Sequence, residues 1–453
     1  MDSLSAAVAT QMDRARTELT ELVAFPSVFD PAAAPDPTCD AAAEWVARAF
    51  ADAGIADART VRTSDGSLAV VGHQPGPDGS PTVLLYSHYD VQPSLGEERW
   101  SSPPWALTER DGRWFGRGTA DCKGNVIMHL ATLRALAADG GLPCGIKIVV
   151  EGSEEFGGGG LADLVTTEPE LLAADAIAIA DAGNPAVGRP AITTSLRGLT
   201  IVDVELRGLA GDVHSGGFGG AAPDPLVGLV ALLATLHDAA GDTTVDGLAN
   251  DQRWTGTDFA PERFRADAQV VEGAQLVGSG SVADQVWARP SLTITALDAT
   301  PRSRAINAVP AVAAARIALR LAPEQDAAAA TEALMAHLRA RVPWGLQATI
   351  TPVERGDGFA LAPDGPAYEA LRGALAQGAG GTVELLGEGG TIPLCAVLHA
   401  AYPDAEILLY GIEEPRSRIH APDESVDPRE IERTALAQAR FLRAYGATPR
   451  SPR

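Results

Sequence analysis

Short apolar runs that end in acids and histidines constrain this chain more than any other feature. The runs at 83–86, 146–150, 176–180 and 407–410 have the length and residue types of buried strands. A helical pattern over 126–138 lies between the first two. Strands alternating with helices predict an α/β fold built on a mixed, largely parallel sheet flanked by helices. In such sheets, ligands collect at the carboxyl ends of the strands. Upstream, a helix is expected from Leu4 to about Val23, ended by Phe25-Pro26, and another over 41–53, stopped by Gly54.

From about Ala191 the texture changes. Strand patterns at 193–207, 291–297, 312–321 and 348–353 interleave with helical patterns at 226–239 and 327–341. Strand, helix, two strands, helix, strand is the split βαβ order of a ferredoxin-like α+β domain. The stretch 241–282, rich in Gly and Asp, reads as an insertion or long loop. After Pro363 the first texture resumes and closes with a helix from Pro428 to about Tyr445. At 453 residues the chain is too long for one ordinary core. The expected organisation is a first domain in two parts, 1–190 and 363–453, interrupted by a smaller one over 191–362.

Charge excludes some partners. With 35 Lys+Arg against 59 Asp+Glu the net charge is −24. Such a surface repels phosphate backbones and anionic lipid, so neither a nucleic acid nor a membrane is expected as partner. No apolar run reaches the roughly 18 residues that a membrane span requires. The beginning of the chain lacks a basic-then-apolar signal pattern, and Cys39, Cys122, Cys144 and Cys395 show no CxxC spacing. A reducing cytoplasm is the expected setting.

The chemistry falls at the strand ends. The first run leads into Ser87-His88-Tyr89-Asp90-Val91-Gln92-Pro93, the second into Glu151-Gly152-Ser153-Glu154-Glu155, and the third into Asp181. The fourth leads to His420, and Asp121 sits in a Gly-rich turn just before a helix. Carboxylates packed together at one sheet edge repel one another unless protonated or bound to cations. Imidazole and carboxylate ligands together suit zinc, and two metals can share a bridging carboxylate and a water. Of the remaining histidines, His129, His237, His337 and His399 fall in helical patterns and His73 in a loop, so they read as structural.

These residues resemble a family. The chain is similar, nearly end to end, to the dinuclear zinc hydrolases that include carnosinases, cytosolic nonspecific dipeptidases, succinyl-diaminopimelate desuccinylase, aminoacylase and glutamate carboxypeptidase. The stretch WSSPPWALTERDGRWFGRGTADCKG at 100–124, followed by HSGGFGG, ALRLAP and GEGGTIP, looks most like the dipeptidase branch. The resemblance implies a zinc-exopeptidase-like catalytic domain with an inserted lid and dimerisation domain. It implies that His88 and Asp181 bind one metal, that Glu155 and His420 bind the other, and that Asp121 bridges. Two divalent ions are implied, zinc first and manganese or cobalt as alternatives.

By the same likeness, Glu154 is the general base acting on a water between the metals, and Asp90 orients the His88 imidazole. His214 is a donor to the developing oxyanion, supplied from the partner subunit of a homodimer. Asn307, Arg320 and Thr391 match positions that hold the substrate's C-terminal carboxylate. The implied activity is hydrolysis of dipeptides with a free C-terminus. An N-acyl-amino-acid amidohydrolase or carboxypeptidase of the same fold is the alternative, and an inactive peptide-binding protein a third reading. Two departures stand out: Asp121-Cys122-Lys123-Gly124 where the branch has Asp-Asp-Lys-Gly, and Asn307 where it tends to carry a hydroxyl. Relatives have a cis bond after the bridging Asp, so Asp121–Cys122 is expected to be cis, and the Cys122 thiol to be oxidation-sensitive if exposed.

Overall fold

The computed structural model describes residues 2–157, 159–361, 363–378, 381–390 and 393–448. They divide into two compact units, one comprising Met1–Thr194, Leu361–Leu385 and Leu394–Arg453, the other Ser195–Ala360 and Leu386–Pro393.

The first unit is organised by its sheet. Its strands run in the spatial order Arg59–Arg62, Leu68–Gln74, Gly145–Glu151, Thr82–His88, Ala176–Ala180, Glu406–Tyr410 and Ala191–Leu196. The middle four are parallel and the outer ones antiparallel. The sheet is thus mixed and largely parallel, as the strand–helix alternation predicts. Buried on both faces, Ala176–Ala180 and Thr82–His88 read as unbroken apolar runs rather than alternating ones. The helices Lys123–Ala138, Pro37–Asp52 and Pro428–Gly446 supply Leu130, Leu133, Val46, Phe50, Ile431 and Phe441 to the same core.

Several helix boundaries differ from the periodicity. The first expected helix is two, Ser3–Ala9 and Met12–Val23, because Thr10 turns its hydroxyl onto the Ala7 carbonyl and interrupts the ladder. The next begins at Pro37, earlier than its apolar pattern, because Asp36 accepts from the Thr38 and Cys39 amides as an N-cap. A single strand over 193–207 was expected; Arg197 separates Ala191–Leu196 from Gly198–Arg207.

The second unit carries an antiparallel sheet in the order Ser291–Asp298, Val312–Leu321, Gly198–Arg207, Gln347–Gly356. With helices Pro225–Leu233 and Ala327–Ala340 between them in sequence, this is the ferredoxin-like arrangement. Alternate residues Val202, Val204 and Leu206, with Ile317, Leu319 and Leu321, face Leu229, Leu232, Leu334 and Leu338 of the helices. Residues 241–290 are mostly irregular and held by an aromatic cluster: Trp287 lies 5.3 Å from both Trp254 and Phe259. No helix among the described residues is long and apolar enough to cross a membrane.

Leu334 is fully buried in the second unit's core. Leu334→Ala should cost about 2–5 kcal/mol by lost transfer energy and the cavity left behind. A urea unfolding curve checks this, and a midpoint unchanged from wild type would contradict the packing described.

Candidate metal centre

The first unit's parallel strands end side by side, and their side chains converge. His88 is the last residue of Thr82–His88; Asp181 follows Ala176–Ala180; Glu154 and Glu155 form a short turn after Gly145–Glu151. Asp121 precedes the helix Lys123–Ala138, and its bond to Cys122 is cis, as the resemblance implies.

Asp121 occupies the middle. Its Oδ1 lies 3.1 Å from His88 Nε2 and its Oδ2 2.9 Å from His420 Nε2, so one carboxylate serves both imidazoles. On one side His88 Nε2 is 3.4 Å from Asp181 Oδ1; on the other His420 Nε2 is 3.1 Å from Glu155 Oε2. Glu154 stands close by, with Oε2 4.0 Å from His88 Nε2. All five residues expected as ligands, and the expected base, are therefore brought together.

The donor set can be tested against a cation. His88 Nδ1 faces the Asp90 carbonyl at 3.1 Å, which assigns the ring proton to Nδ1 and leaves the Nε2 lone pair pointing into the cluster. Buried and without a hydrogen-bond partner among the described residues, Nε2 meets the oxygens of Asp121 and Asp181. Lone pairs aimed at one point in a buried place require a proton or a metal between them. The titration behaviour agrees. Burial and then the charge of Asp181 push Glu154 well above the usual carboxylate range. Burial and then Asp121 raise Glu155. Hydrogen bonds that His420 donates to Asp121 and Glu155 carry it up to about 11. The site concentrates negative charge that only cations relieve. The sets His88 with Asp181 and Asp121 with Glu155 and His420, sharing Asp121 at their centre, fit two metal ions.

Two carboxylates outside this set build it. Asp90 is fully buried and accepts from the amides of Glu154 (3.2 Å) and Glu155 (3.0 Å), fixing the turn that carries them. It also lies 3.4 Å from His88 Nδ1, so the orienting contact expected of it is present beside its own carbonyl's. Glu424 was missed by sequence reasoning. It accepts from the amides of Gly118, Ala120 and Asp121 and from the Arg117 guanidinium at 2.7–3.2 Å, which shapes the loop presenting Asp121. Its position four residues after His420 was the signal, but an Asp-Glu pair reads as a solvated face. His420 itself sits at φ 60° in a loop pinned where Asp423 accepts from the Ser101 amide and hydroxyl and from Arg110.

Two more neighbours were not assigned from sequence. Glu413 groups with Asp121 and Asp181, and Cys122 with His88 and Asp181. The Cys122 thiol donates to the Ala180 carbonyl at 3.1 Å and is fully buried, so the exposure that oxidation needs is lacking. Gln92 was unforeseen too: its amide and side chain donate to Glu155.

His214, Asn307 and Arg320 lie on the second unit. His214 pairs with Ala308, and the Ser215 amide donates to the Asn307 carbonyl, so His214 and Asn307 are neighbours, both exposed. The Gly217 amide donates to His214 Nδ1, which places the ring proton on Nε2, free to donate outward. Arg320 is not beside them; it sits at the far end of Val312–Leu321. Thr391 lies outside the described residues.

Comparison with known proteins shows the family and the fold. Residues 84–444 match the model of Peptidase family M20/M25/M40. The chain is 42% identical over 441 residues to the cysteinylglycine-S-conjugate dipeptidase of Corynebacterium striatum, covering 96% of each. It is 29% identical over 363 residues to the Beta-Ala-His dipeptidase of Rattus norvegicus, covering 75% of this chain and 72% of that one. Among solved structures, it is similar to human carnosine dipeptidase 1 with TM-score 0.80, 25% identity and 98% of each chain covered. The di-peptidase Dug1p of Saccharomyces cerevisiae shares the fold with TM-score 0.82 at 22% identity over 99% of each chain.

Glu424→Gln leaves Arg117 as an unpaired buried charge and loosens the Asp121 loop. Stability should fall by about 3–5 kcal/mol, and metal affinity by about 10–100-fold in a chelator competition. Unchanged affinity would contradict the supporting role. Because His420 is protonated at neutral pH without metal, loading should release protons, and metal affinity should rise with pH. Calorimetry in buffers of different ionisation enthalpy reads this; binding heats independent of buffer would contradict it.

Proposed function

We propose, from the premise that this chain belongs to peptidase family M20/M25/M40, that it is a metal-dependent dipeptidase. Its substrates are short peptides with a free C-terminal carboxylate. The observation that carries this reading is Asp121, with one oxygen turned to each imidazole and Glu154 beside them, its Oε2 4.0 Å from His88 Nε2.

His88, Asp121 and Asp181 hold one ion, and Asp121, Glu155 and His420 the other. Zinc suits this mixture of imidazole and carboxylate, with manganese or cobalt as substitutes. When bound, the metals supply Lewis acidity and lower the pKa of a water from 15.7 towards about 7. Glu154 takes the proton of the attacking water and passes it to the leaving amine. The desolvation that raises its pKa makes its carboxylate a stronger base. Asp90 keeps the His88 ring in the tautomer that leaves Nε2 free.

His214 donates from Nε2 to the developing oxyanion, a contact of the kind worth about 2.7–4 kcal/mol. Asn307, Arg320 and Thr391 hold the carboxylate, Arg320 through the planar fork of its guanidinium. Two of these groups are too far apart within one chain to touch one dipeptide. From Val312, next to the His214 segment, to Arg320 is an extended strand of about 26 Å at about 3.3 Å per residue. A homodimer in which His214 acts at the partner's centre resolves this. The four cysteines are free buried thiols, which suits a cytoplasmic setting.

The test is turnover of dipeptides, tripeptides and N-acyl amino acids by protein stripped of metal and reloaded with zinc or manganese. Cleavage of dipeptides restored by metal is the expected result. Cleavage of N-acyl amino acids alone would replace the dipeptidase reading with the amidohydrolase one. Glu154→Gln should lower kcat by about 10²–10⁴-fold with metal content retained; retained turnover would overturn the role of Glu154.

A further inference from the structure

The turn that carries Glu154 and Glu155 lies between Gly152 and Gly157, and Gly157 sits at φ 113°. Flanking glycines leave a backbone free to rotate, so bonds to the turn itself must set its direction. Asp90 supplies two of them through the Glu154 and Glu155 amides. Bonds to two adjacent amides still allow the turn to tilt about them. A second hold, away from those amides, removes that freedom.

Ser153 provides it. A serine at this N-cap position ordinarily turns its oxygen onto the amides that follow. Ser153 makes no such bond. The residue is 1% exposed, and its hydroxyl donates to Asp65 Oδ2 at 2.7 Å across 88 positions of sequence. A hydroxyl on a carboxylate is among the stronger hydrogen bonds. Asp65 is fixed by its own turn: Oδ1 accepts from the Ser67 amide at 2.9 Å and from the Thr63 hydroxyl at 2.7 Å. The Ser67 hydroxyl in turn meets Ser153 Oγ at 3.2 Å and Thr63 Oγ1 at 2.6 Å. Although burial opposes it, the bonds from Ser67, Thr63 and Ser153 hold the Asp65 carboxyl below the usual range, so it stays an acceptor. Its Oδ2 also accepts from the Gly160 amide at 3.2 Å, in the first turn of helix Gly159–Thr167. One oxygen thus ties both flanks of the glutamate turn.

A general base acts only where its oxygen reaches the proton it takes, and a misplacement of about 1 Å can cost about 10²-fold in rate. We propose that Asp65 is a positioning residue of the metal centre: through the Ser153 hydroxyl it fixes the turn that aims Glu154 at the attacking water and Glu155 at its ion. The inference rests on the dipeptidase reading, with Glu154 as base and Glu155 as ligand. Because Asp65 acts through Ser153, removing either group has the same kind of consequence, and removing both adds nothing to the loss of Asp65.

The experiment uses the full-length, zinc-loaded protein and the dipeptide it turns over fastest. Ser153→Ala and Asp65→Ala should each lower kcat by about 10–100-fold with KM unchanged. The double variant should fall no further than Asp65→Ala alone, as coupled partners do. Zinc affinity in a chelator competition should fall by about tenfold in each, because Glu155 rides on the same turn. Unchanged kcat or unchanged zinc affinity in Ser153→Ala, or losses that multiply in the double variant, would overturn the proposal. Ser64→Ala removes the bond from the Asp65 turn to Asp163 and leaves Ser153 alone. It should keep the wild-type kcat; a loss as large as that of Asp65→Ala would assign the effect to the turn as a whole and overturn the proposal. Should Asp65→Ala not fold, Ser153→Ala, which removes a single hydroxyl, decides by the same two readouts. Failure of the dipeptidase reading looks different, because the wild type then turns over no dipeptide. Zinc affinity then decides alone: the tenfold loss in Ser153→Ala keeps the positioning role, and an unchanged affinity removes it.

Discussion

One carboxylate shared between two imidazoles governs the first unit. Asp121 presents its oxygens to His88 and His420 in a place where Asp181, Glu154 and Glu155 also converge. Burying that much negative charge opposes folding unless cations return. Protons answer the need when no metal is bound, which is why the histidines and glutamates are pushed up. The same arrangement that is costly on its own suits two ions that share one carboxylate.

The scaffold meets this cost with backbone amides. Asp90 ties down the Glu154–Glu155 turn and Glu424 the Gly118–Asp121 loop, each by accepting main-chain N–H groups. Arg117 neutralises Glu424 deep in the structure, while Arg113 pairs with Glu414 at 2.6 Å behind the His420 loop. These carboxylates hold the geometry, so the ones facing the ions are free to coordinate. Parallel strands ending at one edge make the convergence possible, since neighbouring strand ends deliver His88 and Asp181 about one strand spacing apart.

Much of this was legible in the sequence, for physical reasons. Strands buried on both faces are unbroken apolar runs, so Ala176–Ala180 and its neighbours stood out, and the residues after them were necessarily at the sheet's carboxyl edge. The ferredoxin-like order could be read because strand and helix periods differ. What stayed hidden depends on contacts between distant segments. Glu424 is 306 residues from the Gly118 amide it accepts, and no local pattern announces that bond. The break after Ala9 is set by one hydroxyl, and the path of the irregular 241–290 stretch by how it folds back on its aromatic residues. Arg197 falls inside the strand pattern at 193–207, and only the structure shows it buried against Ser291.

The account turns on Asp121 as the bridge between two bound ions. The most direct test is elemental analysis of the wild-type chain and Asp121→Ala after equilibrium dialysis against zinc. Two tightly held ions per chain in the wild type, one at each set of ligands, and a loss of both or all but one in Asp121→Ala is the predicted result. A wild-type chain without tightly held metal, or a variant that still holds two, would contradict it.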